Sequence, residues 1–205
     1  MLKRVSSGQI IAYASNMLTP LQLAKQVHYF RLVDVDKDGY VTASDWAEIG
    51  RNLASMRNLK RGTPEHDAVM ATMGTIWANL GPYASDPEGR VVSEADWLRF
   101  EEERVVYCDD EWYEIYVNTI VRGVFSLLDT DKDNAIDQGD YLDLAMSFWV
   151  KPRHAIEAFA KMDEDGDGRI FLDDFLNHVL TFHRSDDPDA PGNWLFGPWD
   201  VHADR

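Results

Sequence analysis

The sequence predicts an all-α fold of four helix-loop-helix units in two pairs. Three observations predict it. Aspartates alternate in three short segments, each with a further aspartate at the twelfth place. A fourth segment repeats the ending of the first without its acids, and the flanking stretches carry apolar residues at helical spacing.

The acidic segments begin Asp34, Asp36, Asp38 and close at Asp45; begin Asp129, Asp131, Asp133 and close at Asp140; and begin Asp163, Asp165, Asp167 and close at Asp174. Position 6 needs a turn with positive φ, which Gly39 and Gly168 adopt freely and Asn134 tolerates. Position 8 is apolar and β-branched each time, Val41, Ile136 and Ile170, which suits a short strand pairing with a second loop. One isolated Asp-x-Asp would read as an N-cap or an acidic turn. Three copies sharing positions 6, 8 and 12 read as a shared cation, because carboxylates this dense repel one another unless an ion lies between them. Oxygen donors select a hard ion, and a twelve-residue loop offers Ca²⁺ its oxygens from positions 1, 3, 5, 7, 9 and 12.

The flanking elements follow in order. Thr19-Pro20 is an N-cap with proline at the first helical position, and Leu23, Val27, Phe30 and Val33 share one face of the helix entering the first loop. A helix from about Ser44 leaves it with Trp46, Ile49 and Leu53 inward. Thr63-Pro64 starts the next, with Val69, Met73, Ile76, Trp77 and Leu80, and Pro82 helps end it. Val92 to Trp97 then aligns with Val41 to Trp46, but Ser85, Pro87 and Gly89 take positions 1, 3 and 5, Arg90 takes the turn position, and only Asp96 offers a carboxylate. This second loop, about 85–96, reads as metal-free and retained because Val92 can pair with Val41. A helix from near Asp109-Asp110 carries Trp112, Ile115, Tyr116, Val121, Val124, Phe125 and Leu128 into the third loop, and Pro152 begins the helix entering the fourth. Three divisions follow: an N-terminal pair over 1–108, a C-terminal pair over 109–184, and a tail over 185–205. The tail turns apolar from Trp194 to Trp199, so it is expected to dock between the two pairs.

Composition narrows the function. The formal net charge of −16 disfavours nucleic acid and anionic lipid. Cys108 is the single cysteine, which excludes an internal disulfide framework, and the acids beside it make it an incidental thiol rather than a nucleophile. No stretch approaches the roughly 20 apolar residues of a membrane span, and no secretory apolar core follows Met1-Leu2-Lys3-Arg4, so a cytoplasmic protein without stable membrane insertion is expected. No phosphate-cradling glycine loop or Gly-x-Ser-x-Gly elbow is present, and no enzymatic activity is expected.

Three intact loops with the second decayed, a long spacer before it, and the ending Gly192-Asn193-Trp194-Leu195-Phe196-Gly197 resemble the invertebrate sarcoplasmic calcium-binding proteins, with calexcitin-like EF-hand proteins similar in the tail. The resemblance covers nearly the whole chain. It implies a compact monomer that binds Ca²⁺ at three sites with Mg²⁺ competing, acting as a buffer or a calexcitin-like signal protein without catalytic activity. By match to the motif, the first-loop ligands are Asp34, Asp36, Asp38, the Tyr40 carbonyl, Thr42 through water, and Asp45. Those of the third are Asp129, Asp131, Asp133, the Ala135 carbonyl, Asp137 and Asp140. Those of the fourth are Asp163, Asp165, Asp167, the Arg169 carbonyl and Asp174, with Phe171 at position 9 unable to hold the usual water. All three loops depart from the common glutamate at position 12, and the shorter aspartate is expected to favour Mg²⁺ relative to Ca²⁺.

Two other functions are weighed. A sensor opening an apolar groove for a protein target is not indicated, since the methionines are scattered. Luciferin-binding proteins and calcium-activated photoproteins are similar in layout, which makes binding of coelenterazine the alternative. His28, His178 and His183 with Trp77, Trp112, Trp149 and Trp199 are its candidates, against the expectation of an aromatic core with surface histidines.

Overall fold

A computed structural model describes residues 18–86, 88, 90–109, 113 and 118–199. Trp112, Ile115, Tyr116, Pro87 and Gly89 lie outside the described residues. Eight α-helices are present among the described ones: α1 (Pro20–Val33), α2 (Ala43–Met56), α3 (Pro64–Leu80), α4 (Glu94–Glu101), α5 (Asn118–Leu128), α6 (Gln138–Ser147), α7 (Pro152–Met162) and α8 (Leu172–Arg184). Four short strands, β1 (Tyr40–Val41), β2 (Val92–Ser93), β3 (Ala135–Asp137) and β4 (Arg169–Phe171), join the loops in twos.

Local chemistry sets the helix starts. Thr19, Thr42, Ser93 and Asp137 each cap a helix, and each engages the residue three places on in a reciprocal capping box. Pro20, Pro64 and Pro152 occupy the first turn of their helices, where the missing N–H costs nothing. β1 pairs antiparallel with β2 and β3 with β4, setting Val41 opposite Val92 and Ile136 opposite Ile170. All four of these side chains are fully buried, so each pair of loops is held by one apolar contact on one face of a two-stranded ribbon. One core runs from Phe30, Val33 and Trp46 through Leu80, Trp97 and Leu128 to Phe159, Phe182 and Phe196.

The chain after α8 folds back onto this core. Phe196 stacks on Tyr29 with ring centres 4.1 Å apart and meets Phe182 and Phe148 edge-on. Buried polar groups hold the backbone there. Lys25 Nζ donates to Asn193 Oδ1 (2.8 Å), the Ser185 carbonyl (2.9 Å) and the Thr181 carbonyl (3.3 Å). Tyr141 Oη donates to the Leu195 carbonyl (2.9 Å), and His28 Nε2 to the Phe196 carbonyl (3.0 Å). Gly192 lies so close to α8 that an added Cβ would stand 2.5 Å from the His178 carbonyl oxygen. This covering reverses part of the expected pattern on α1: Leu23 and Val27 are only half-buried, whereas Gln22, Lys25 and Gln26 are buried. His28, His178 and His183 are likewise buried rather than at the surface.

Burial brings the Lys25 ammonium down to about 8, against the opposing pull of Asp186. The unfolded chain keeps this proton up to the ordinary value near 10.5, so between pH 8 and 10.5 the unfolded state binds more protons and stability rises with pH. Lys25→Met is expected to lower stability at pH 7 by about 2 kcal/mol, because three buried acceptors lose their donor. Its alkaline gain should vanish too, so that the gap to wild type widens from pH 8 upward; melting curves across this range measure both.

Candidate metal centres

Each intact loop draws its carboxylates together by bonding them to its own backbone. In the first, Asp34 Oδ1 accepts from the Asp38 amide (3.2 Å) and Oδ2 from the Gly39 amide (3.1 Å), while Asp38 Oδ1 accepts from Tyr40 (2.9 Å). The third repeats this, with Asp129 accepting from Asp133 and Asn134 (both 3.1 Å) and Asp133 from Ala135 (3.0 Å). In the fourth, Asp163 Oδ2 accepts from Gly168 (3.0 Å) and Asp167 from Arg169 (2.8 Å). Positions 4 and 6 take positive φ in every case: Lys37 and Gly39, Lys132 and Asn134, Gly166 and Gly168. The three loops are therefore one backbone motif written three times.

The result is three groups, Asp34/Asp36/Asp38, Asp129/Asp131/Asp133 and Asp163/Asp165/Asp167, in each of which one oxygen per residue lies within 4.8 Å of the others. Burial pushes the Asp34 carboxyl up, and the nearby Asp38 and Asp45 carboxylates push it further, against the Gly39 amide and Lys37. Asp163 Oδ1 is buried with no hydrogen-bond partner. An acceptor stranded inside an acidic group fits a hard cation and nothing that the loop itself supplies.

The remaining predicted site residues fall around these groups. Tyr40, Ala135 and Arg169 open β1, β3 and β4. Thr42 Oγ1 donates to Asp45 Oδ2 (2.6 Å), and Asp137 Oδ1 accepts from the Asp140 amide (2.9 Å), so positions 9 and 12 form the capping box of the outgoing helix. Phe171 caps α8 without a side-chain bond, and Asp174 lies in the first turn of that helix. Two basic residues had no signal in the acidic pattern. Arg169 Nη1 pairs with Asp133 Oδ2 (2.7 Å) across the β3–β4 ribbon, and Arg57, from the end of α2, reaches Asp140 Oδ1 (3.1 Å).

The second loop closes differently. Asp86 accepts from the Arg90 (2.8 Å) and Val91 (2.9 Å) amides, the role Asp34 plays in the first loop and one place later than Ser85, where the alignment puts position 1. Asp96 is taken up by the hydroxyls of Ser85 and Ser93 and by their amides. Burial would raise its carboxyl, but the Ser85 and Ser93 bonds together bring it below the usual value. Two serines thus satisfy this carboxylate from within the loop.

A second candidate site lies in the core. A cavity of about 130 Å³ is lined by Tyr29, Trp46, Trp97 and Phe196, with Glu101 and His183 as its polar members. Glu101 Oε2 faces His183 Nδ1 at 3.1 Å, and the indole N–H groups of Trp46 and Trp97 are buried without partners. Of the histidines and tryptophans proposed from sequence for a light-emitting site, His183 lines it; His28 and His178 are bonded to the Phe196 and Met162 carbonyls, Trp149 is exposed, and Trp112 lies outside the described residues.

Comparison with known proteins agrees with this layout. An EF-hand family model matches residues 27–49 and 156–177, around the first and fourth loops. Calerythrin of Saccharopolyspora erythraea is 21% identical over 150 residues, 73% of this chain and 85% of that protein. A sarcoplasmic calcium-binding protein of Perinereis vancaurica tetradentata is 27% identical over 122 residues, 59% of this chain and 66% of that protein, just under two thirds of its length. The calcium-loaded apo coelenterazine-binding protein of Renilla muelleri shares the fold, with a TM-score of 0.66 and 19% identity over 88% of this chain and 99% of that one. These matches support an EF-hand family of the sarcoplasmic calcium-binding protein type, and neither curated relative is named as an enzyme.

Replacing Asp96 by alanine removes the carboxylate half of the α4 capping box and takes their acceptor from the Ser85 and Ser93 hydroxyls and amides. Stability is expected to fall by about 1–2 kcal/mol with no change in the number of divalent ions bound. Melting and calorimetric titration on the one variant check the two halves.

Proposed function

We propose that this chain is a cytosolic divalent-cation buffer that takes up Ca²⁺ against Mg²⁺ at its first, third and fourth loops. The observation that carries the reading is the threefold convergence of carboxylate oxygens within 4.8 Å on one repeated backbone, three carboxylates against at most one lysine in each segment. The ligands proposed are Asp34, Asp36, Asp38, Tyr40, Thr42 and Asp45; Asp129, Asp131, Asp133, Ala135, Asp137 and Asp140; and Asp163, Asp165, Asp167, Arg169 and Asp174. A bound cation supplies the positive charge that these carboxylates lack. The protein's part is to orient the oxygens through backbone N–H donors and positive-φ turns, so that little reorganisation remains when the ion arrives.

Buffering is favoured over target recognition by the tail. Phe196 fills the space between the helices, and Lys25, His28 and Tyr141 fix the backbone on either side of it, so an opening groove would have to break a buried polar network as well as apolar contacts. The name of the Perinereis relative, a sarcoplasmic calcium-binding protein, supports the ion binding in this reading. A second reading, binding of a small apolar molecule such as coelenterazine, draws on the cavity with its Glu101–His183 pair and on the name of the Renilla neighbour. A cavity of about 130 Å³ is close in size to the roughly 150 Å³ engineered cavity that holds one benzene, so a ligand of several rings would require the core to expand. Absorbance of the purified protein beyond the aromatic band distinguishes this reading from the first.

Calorimetric titration is expected to saturate at three ions per chain; saturation at one or at four would refute the loop assignment. Lengthening position 12, as Asp45→Glu, Asp140→Glu or Asp174→Glu, should raise the preference of the altered loop for Ca²⁺ over Mg²⁺, because the longer carboxylate grips the larger ion with both oxygens. An unchanged affinity ratio in all three variants would show that the size argument is wrong.

A further inference from the structure

We propose that Arg57 competes with the cation for the third loop and thereby couples the filling of that loop to the packing of α2 against α6. The inference rests on reading residues 129–140 as a cation loop. Arg57 closes α2, in the first pair of helix-loop-helix units, yet its guanidinium is spent on the second pair. Nη1 donates to Asp140 Oδ1 (3.1 Å) and Asp143 Oδ2 (3.2 Å), and Nη2 donates to the Leu128 carbonyl (2.8 Å) and Thr130 Oγ1 (3.3 Å). Leu128 immediately precedes the loop and Asp140 ends it, so one side chain spans its two ends.

Three features make this a competitor rather than an incidental surface pair. The Arg57 side chain is only 8% exposed, so solvent and salt screen it little. Asp140 is the twelfth residue, and both its oxygens are already engaged, Oδ1 by Arg57 and Oδ2 by the Asp137 amide (3.3 Å). At the corresponding place in the first loop, Asp45 accepts from the Val35 and Thr42 amides and the Thr42 hydroxyl, all neutral donors of its own loop. Arg169 also meets the third loop, at Asp133, but half in solvent, where such a pair is worth little. A divalent ion entering the third loop therefore meets a buried positive charge holding one of its own ligand oxygens. It must take Asp140 through a single oxygen or displace the guanidinium, and displacement removes a tie between α2 and α6. By linkage, whatever the ion loses to Arg57, the α2–α6 contact loses to the ion.

The test is Ca²⁺ calorimetry on the full chain, with Asp129→Asn marking which binding step belongs to the third loop. Arg57→Gln should tighten that step on the order of tenfold and leave the other two unchanged. Arg57→Lys, which keeps the charge but cannot span four acceptors, should fall between. Hydrogen exchange supplies a readout independent of affinity: the Arg57 and Asn58 amides, bonded to the Leu53 and Ser55 carbonyls, should exchange faster on Ca²⁺ loading in wild type and show no such response in Arg57→Gln. Equal or weaker third-loop affinity in Arg57→Gln overturns the proposal. If that variant fails to fold, wild-type affinity in Arg57→Lys together with loading-independent exchange overturns it instead. An Asp129→Asn protein that binds as many ions as wild type overturns the loop reading itself, and this inference with it.

Discussion

Carboxylates crowded to within 4.8 Å of one another are the constraint around which this molecule is arranged. Such groups repel, and the chain meets that repulsion chiefly with oriented backbone N–H donors, helped at single places by Lys37, Arg169 and Arg57. The backbone must double back twice within six residues to aim those donors, which is why positive φ recurs at positions 4 and 6. The strands within each loop then lock this geometry by pairing, and the buried aliphatic residue on each strand anchors the ribbon to the core. Helix caps, strand register and site geometry are thus aspects of one local solution.

The second loop keeps that solution with fewer carboxylates. Its strand pairing and its helix cap are intact, because Val92 still opposes Val41 and Ser93 still caps α4. The twelfth-position carboxylate is held by two amides and a hydroxyl, as Asp45 is in the first loop, and by one donor more, the Ser85 hydroxyl. Pairing needs a partner loop of the right shape, and in this loop hydrogen bonds from Asp86 and Asp96 supply that shape.

A different balance governs the tail. Its apolar residues seek the core, but a segment rich in proline, glycine and aspartate brings backbone carbonyls with it, and buried carbonyls need donors. Lys25, His28 and Tyr141 provide them, which explains why a polar face of α1 lies buried. The same logic places Arg57 against the Leu128 carbonyl and the carboxylates around it. In both places a long basic side chain crosses from one part of the molecule to another, and in both it ties the ends of elements distant in sequence.

The all-α class, the helix order, the three acidic loops and the pairing of Val41 with Val92 and Ile136 with Ile170 were legible in the residues themselves. Each depends on short-range rules: aspartate spacing, a turn residue at position 6, a β-branched residue at position 8, a threonine before a proline. The uses of Gln22, Lys25 and His28 were not legible, because on α1 alone they read as the solvated face, and only the returning chain after α8 makes that face interior; His178 and His183 of α8 are likewise buried only by contacts with distant segments, the Met162 carbonyl and Gln26. Nor did anything near Arg57 in sequence point to Asp140, since the contact joins residues 83 places apart. Local spacing determines which groups a segment can offer; which of them end up desolvated together is decided when distant segments close over one another, and burial is what gives a charge or an unpaired carbonyl its energetic weight.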